Sequence, residues 1–146
     1  MKLTDIISIS GKPGLYELIN KTKSPFTAKD LDTNRKLPIF PRDNIVSLAD
    51  ISIYTEDDDM PLGEVFEKIK EKHPKGIEDS KAIISSSESL HQFMSDTLPI
   101  YDKERVRDND IKKLIKWYNI LIKAGMESFL TREEITEDNK EVSDNK

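Results

Sequence analysis

The chain has 146 residues, 36% hydrophobic and 35% charged, with a formal net charge of −5 and no cysteine. That length holds one ordinary domain or two very small ones. Lacking cysteine, it has no disulfide framework, no thiolate metal site and no cysteine nucleophile. Residues 1–76 carry 12 basic and 13 acidic side chains and residues 77–146 carry 11 and 15, so neither half is built to neutralise a phosphate backbone wholesale.

Met1 to Ser8 lacks the apolar core of a signal peptide. No apolar run approaches the ~20 residues that span a bilayer. No membrane association is expected, and a cytoplasmic location follows by elimination, in keeping with the missing cysteines.

Residues 1–60 read as β structure. Turn signals recur at Gly11-Lys12-Pro13-Gly14, Lys23-Ser24-Pro25, Asp32-Thr33-Asn34 and Pro41-Arg42-Asp43-Asn44. Short apolar runs separate them: Ile7 and Ile9, Leu15 to Ile19, Phe26 to Leu31, Leu37 to Phe40, Ile45 to Leu48, and Ile51 to Tyr54. Spacing of this kind predicts a small barrel or meander, with an SH3-like barrel as the specific expectation. Pro38 and Pro41 lack an N–H, which places them at an edge or a strand end.

An acidic loop, Glu56 to Asp59, leads to Pro61, a residue suited to a first helical turn. Leu62, Val65, Phe66 and Ile69 then follow at helical spacing, and His73-Pro74-Lys75-Gly76 stops the helix. Residues 74–86 read as a linker. A second helix is expected to start among Ser85, Ser86 and Ser87, with Leu90, Phe93 and Met94 on its apolar face and Leu98-Pro99 at its end. The strongest helical pattern begins at Asp108, an N-cap candidate. It runs through Ile111, Leu114, Ile115, Tyr118, Leu121 and Ile122 to Gly125. Trp117 and Ile120 widen its apolar stripe enough to suggest contact on two sides. Thr131 and Glu134 fit a capping box for a short last helix. The expected organisation is α+β: a β domain over 1–60, a helix and linker over 61–86, a helical domain over 87–125, and a polar, largely disordered tail over 126–146.

Three stretches together carry a family resemblance: Ile9 to Tyr16; Pro41-Arg42-Asp43 with Val46-Ser47-Leu48 and Ile51 to Thr55; and Asp110 to Asn119. They resemble a family of small bacterial proteins of unknown function. The resemblance spans most of residues 1–122 and implies an N-terminal β domain joined to a C-terminal helical domain. It brings no reaction, ligand or partner with it.

Few residues suggest chemistry. Gly11 to Gly14 lacks the donors and the following helix of a phosphate loop, and the simpler reading is a hairpin turn. Asp57-Asp58-Asp59 alternates direction on an extended chain, so its carboxylates do not converge on a cation. His73 and His91 form no metal-ligand pair, and no serine sits in a nucleophile elbow. Tyr16, Phe40 and Tyr54 fit either a barrel core or an aromatic peptide groove. No cofactor, metal or catalytic constellation is expected, and the chain reads as a non-enzyme.

One stretch is locally basic: Arg105, Arg107, Lys112, Lys113 and Lys116, beside Trp117. It is the candidate partner surface. The leading expectation is a binding or scaffolding protein that engages a protein partner or associates with itself. The alternative is a nucleic-acid-binding protein using residues 105–117, with cations on phosphates and Trp117 stacked on a base. Asp102, Glu104, Asp108 and Asp110 are interleaved and nearly cancel that charge.

Overall fold

The computed structural model describes residues 2–12, 14–20, 25–40 and 43–130. A single 3-10 turn (Leu3–Asp5) leads into β1 (Ile6–Ile9), β2 (Tyr16–Asn20), β3 (Phe26–Asp30), β4 (Lys36–Ile39) and β5 (Ile45–Ser47). A second 3-10 turn (Leu48–Asp50) precedes β6 (Ser52–Ile53) and β7 (Met60–Pro61). The helices are α1 (Leu62–Lys72), α2 (Ser80–Ile84), α3 (Ser87–Thr97) and α4 (Asp108–Lys123). The class is α+β.

β1 to β5 form one antiparallel sheet in the order β4-β3-β2-β1-β5. Four strands run as a meander and the fifth returns beside the first. β4 and β5 do not pair among the described residues, so the sheet stays open and no closed barrel forms. Turn chemistry sets the hairpins. Gly11 and Gly14 both take φ of +82° in the β1–β2 connection, where a β-carbon would be strained. The Asp30 carboxylate accepts the N–H groups of Asp32 and Thr33 to tie the β3–β4 turn. Gly11 to Gly14 thus opens a strand, and no helix follows it to present donors to a phosphate.

The sheet buries both faces. Ile7, Ile9, Tyr16, Ala28 and Ile39, with Leu18, Leu37 and Ile45, gather on one side as a small core of their own. These residues recur every second position along their strands, as pleating requires. On the other side Leu3, Ile6, Leu15 and Leu48 enter a larger cluster with residues of α1, α3 and α4. The main core therefore belongs to the β and helical halves together.

α1 buries Leu62, Val65, Phe66 and Ile69, and α4 buries Ile111, Leu114, Ile115, Tyr118 and Leu121. Each such side chain contributes roughly 1.5–3 kcal/mol on removal from water. Ser86 caps α3 by accepting the Ser89 N–H. At α4 the cap position is Arg107, one residue before the expected Asp108, and the Asp110 carboxylate reaches back to the Arg107 N–H at 3.0 Å.

Two segments depart from the sequence reading. Residues 74–86 hold the short helix α2 and a buried Ile77, whose N–H and C=O are both bonded by the Asn119 amide. Residues 126–129 are no polar tail, because Met126 and Phe129 are buried. Phe129 packs on Phe66 and Tyr118 with ring centroids 5.3 and 5.5 Å away. Its N–H donates to Glu67 Oε2 at 2.6 Å, and Lys70 Nζ donates to the Glu127 carbonyl. Isolated apolar residues with no period left no signal for this return. Residues 131–146, with the capping box at Thr131 and Glu134, lie outside the described residues.

Candidate partner-binding groove

The helical pattern that made α4 legible also aims its side chains. Residues 110, 113, 114 and 117 share one flank of the helix by their spacing. That flank faces the β6 segment. Asp110, Lys113, Leu114 and Trp117 meet Ile51, Ser52, Ile53 and Tyr54 across a groove of about 290 Å³, with Leu62 and Val106 also lining it. Leu114, Leu62 and Val106 are buried, Trp117 is half-buried, and Lys113 is exposed. The result is an apolar slot with a cationic lip.

At one end of the groove the Arg105 guanidinium lies 4.3 Å from the centre of the Tyr54 ring, within cation–π range. Arg105 also holds Asp102 at 2.8 Å. Hydrogen bonding from Arg105 keeps the Asp102 carboxyl below its ordinary range, and the same contact raises the Arg105 guanidinium. Arg105 is therefore a strut between the loop and the β6 segment.

The structure divides the predicted basic stretch. Arg105 is tied to Asp102 and Tyr54, and Arg107 stands at the start of α4. Lys112 lies beside His91, Asp108 and Asn109 in a polar depression. Lys113 and Trp117 line the groove, and Lys116 is exposed on the helix outside it. Successive residues on a helix differ by about 100° around the axis, so Lys112 and Lys113 point in different directions.

The other motifs do not join this site. Tyr16 is buried in the sheet's own core, Phe40 follows β4, and only Tyr54 reaches the groove, so the three rings make no common channel. Asp57 to Asp59 form the β6–β7 hairpin, ordered by Thr55, whose hydroxyl donates to the Asp58 carbonyl and accepts the Asp57 N–H. Among the described residues no group of three or more His, Asp and Glu is placed to hold a metal ion. His91 bridges two neighbours: Nδ1 lies 2.7 Å from the hydroxyl of buried Tyr101, and Nε2 lies 2.9 Å from Asp108 Oδ1. Ser87 donates to that same Asp108 oxygen and not to the imidazole, so His91 is not placed to take the Ser87 proton. Sequence reasoning missed the β6 wall of this groove: Ile51 to Ile53 signal only a strand, and Tyr54 reads with Tyr16 and Phe40 as barrel core or aromatic groove.

Comparison with known proteins agrees with this architecture. Residues 3–48 match a family model described as Domain of unknown function (DUF5606). Residues 51–121 match one described as Domain of unknown function (DUF6852). A solution NMR structure of a protein from Bacteroides vulgatus, determined by a structural genomics consortium, is 41% identical. The match covers 87% of this chain and 90% of that one, with a TM-score of 0.70. No curated protein matches. Among the described residues no helix is long and apolar enough to cross a membrane.

Proposed function

The chain belongs to the family of small bacterial proteins of unknown function that join a DUF5606 domain to a DUF6852 domain, and from that premise we propose that it is a non-catalytic binding protein acting through protein–protein contacts. The observation that supports this reading is the groove between α4 and the β6 segment, where half-buried Trp117 and exposed Lys113 border an apolar floor. Aromatic anchors beside a desolvated pocket are the usual centre of a protein interface. A cytoplasmic setting belongs to the same proposal and draws on the lack of cysteine. So does an SH3-like, partly opened barrel for the β unit, which draws on the five-strand antiparallel order and the separate core on one face of the sheet.

The test compares affinity capture by the full chain with capture by Lys113→Glu, alongside light scattering for self-association. A partner or a dimer that weakens in the variant supports the reading. A monomer whose captured proteins are the same in both overturns it.

Nucleic-acid binding is the competing proposal and draws on Arg107, Lys112, Lys113 and Lys116. Against it stand the spread of these cations around α4 and the Arg105–Asp102 pair. Fluorescence anisotropy with mixed DNA and RNA at low salt separates the two. No binding, or binding unchanged when Lys112, Lys113 and Lys116 become Ala, ends the nucleic-acid reading.

A further inference from the structure

The β6 wall of the groove is an unfinished sheet edge. Ser52 lies opposite Pro61 and Ile53 opposite Met60. Pro61 has no N–H to exchange, and the Leu62 N–H donates to the Ile51 carbonyl at 2.9 Å. Ser52 and Pro61 are therefore a non-hydrogen-bonded pair. In such a pair the N–H and C=O of Ser52, and those of Tyr54, turn away from β7 to the outer edge. The chain already uses part of that edge. The Asp102 N–H donates to the Tyr54 carbonyl at 2.9 Å, and the Glu56 N–H to the Ile100 carbonyl at 2.8 Å. These bonds frame the Thr55–Tyr101 bridge. The third strand begun there stops at Asp102. Beyond it the Ser52 N–H and C=O and the Tyr54 N–H have no hydrogen-bond partner among the described residues.

Open backbone groups beside a helix-walled slot are what an extended peptide needs in order to add a strand. The volume, about 290 Å³, lies just under the ~300–1,000 Å³ of small-molecule sites. The charge pattern narrows the partner. Lys113 stands on the lip and Lys116 is its neighbour three residues on, and neither has an ion-pair partner among the described residues. Asp110, the acid lining the groove, is engaged by the Arg107 N–H.

We propose that this groove takes an extended, acidic segment of a protein partner by strand addition along Ser52 to Tyr54, with an apolar side chain lodged against Trp117. The proposal deepens the protein-binding reading and rests on it. Main-chain bonds supply the generic hold, the slot selects an apolar side chain, and Lys113 selects a neighbouring carboxylate.

The test titrates the isotope-labelled full chain with a pool of blocked hexapeptides, carried to millimolar concentration. Glutamate alternates there with leucine, isoleucine, valine or phenylalanine. Two control pools replace glutamate by lysine, or methylate the backbone nitrogens that would face the edge. The expected result is a shift of the Ser52 and Tyr54 amide signals, slowed exchange of those amides, and a change in emission from Trp117, the one tryptophan in the chain. Lys113→Glu, checked for an intact spectrum, weakens binding about tenfold, and the methylated pool does not bind. No response to the glutamate pool overturns the proposal. So does equal binding of the methylated pool, which means docking without strand addition, or equal binding of the lysine pool. If the glutamate pool fails while a captured partner is still lost in Lys113→Glu, strand addition falls and the protein-binding reading stands. If both fail, both fall.

Discussion

Gly63 is the second residue of α1, and the chain returning from α4 passes directly over it. A methyl group there would collide with the Phe129 carbonyl oxygen and sit 3.2 Å from Leu3 Cδ2. Leu3 can rotate, but a backbone carbonyl cannot. Relief requires residues 126–129 to lift off α1, which uncovers Phe129. Exposing a buried Phe side chain costs about 1.5–3 kcal/mol, and its two ring contacts add about 0.5–1.5 kcal/mol each. Against this, Gly to Ala within a helix gains up to about 1 kcal/mol. Gly63→Ala should therefore destabilise the full chain by roughly 1.5–5 kcal/mol, read by equilibrium urea unfolding. The same substitution in a chain ended at Gly125 meets no carbonyl, so its sign should reverse to a gain of up to about 1 kcal/mol. A neutral or stabilising Gly63→Ala in the full chain refutes the reasoning.

Other outcomes follow from single buried contacts. Burial, with Glu67 nearby, pushes the Tyr118 hydroxyl up to about 12. A tyrosine raised in the folded state favours folding fully below its unfolded value near 10. That contribution is lost as pH climbs from about 10 to 12, and two units correspond to about 2.7 kcal/mol at most. Urea midpoints at pH 8 to 11 should fall more steeply for the native chain than for Tyr118→Phe, and parallel curves would contradict this. At neutral pH Tyr118→Phe loses the 2.6 Å bond to the His73 carbonyl and should cost about 0.5–1.5 kcal/mol. His91→Ala removes the 2.7 Å imidazole partner of the buried Tyr101 hydroxyl, leaves it the His91 carbonyl at 3.4 Å, and should cost about 0.5–1.5 kcal/mol in thermal unfolding. Asn119→Ala leaves both backbone groups of buried Ile77 unbonded. Faster amide exchange at Ile77, with a loss of about 1–3 kcal/mol, is expected.

The strands were legible because pleating and turn chemistry are local. Ile7 and Ile9, and Leu37 and Ile39, alternate as their burial requires, and the turn signals fall between the observed strands. α1 and α4 were legible because 62, 65, 66, 69 and 111, 114, 115, 118 repeat at the helical period. Sheet closure was not legible, since whether β4 meets β5 depends on curvature that no short run of residues encodes. Residues 126–129 were missed because Phe129 is held by distant partners, Phe66 and Tyr118, and not by a pattern around itself. At the groove the helix half was visible in Lys113 and Trp117. The other half adds the open main-chain groups, the Ser52 N–H and C=O and the Tyr54 N–H, which every sequence possesses and only pairing reveals.

The shared core also sets a schedule for the newborn chain. Leu3, Ile6, Leu15 and Leu48 are synthesised early, yet the cluster that covers them is completed by Phe129. Roughly eighty residues separate Leu48 from Phe129. At ~5–20 residues per second, that interval is ~4–16 s of translation. Within it α1 can cover part of the helix-facing side of the sheet, but the shared core stays incomplete, and open to any chaperone at the tunnel exit, until residue 129 has been made.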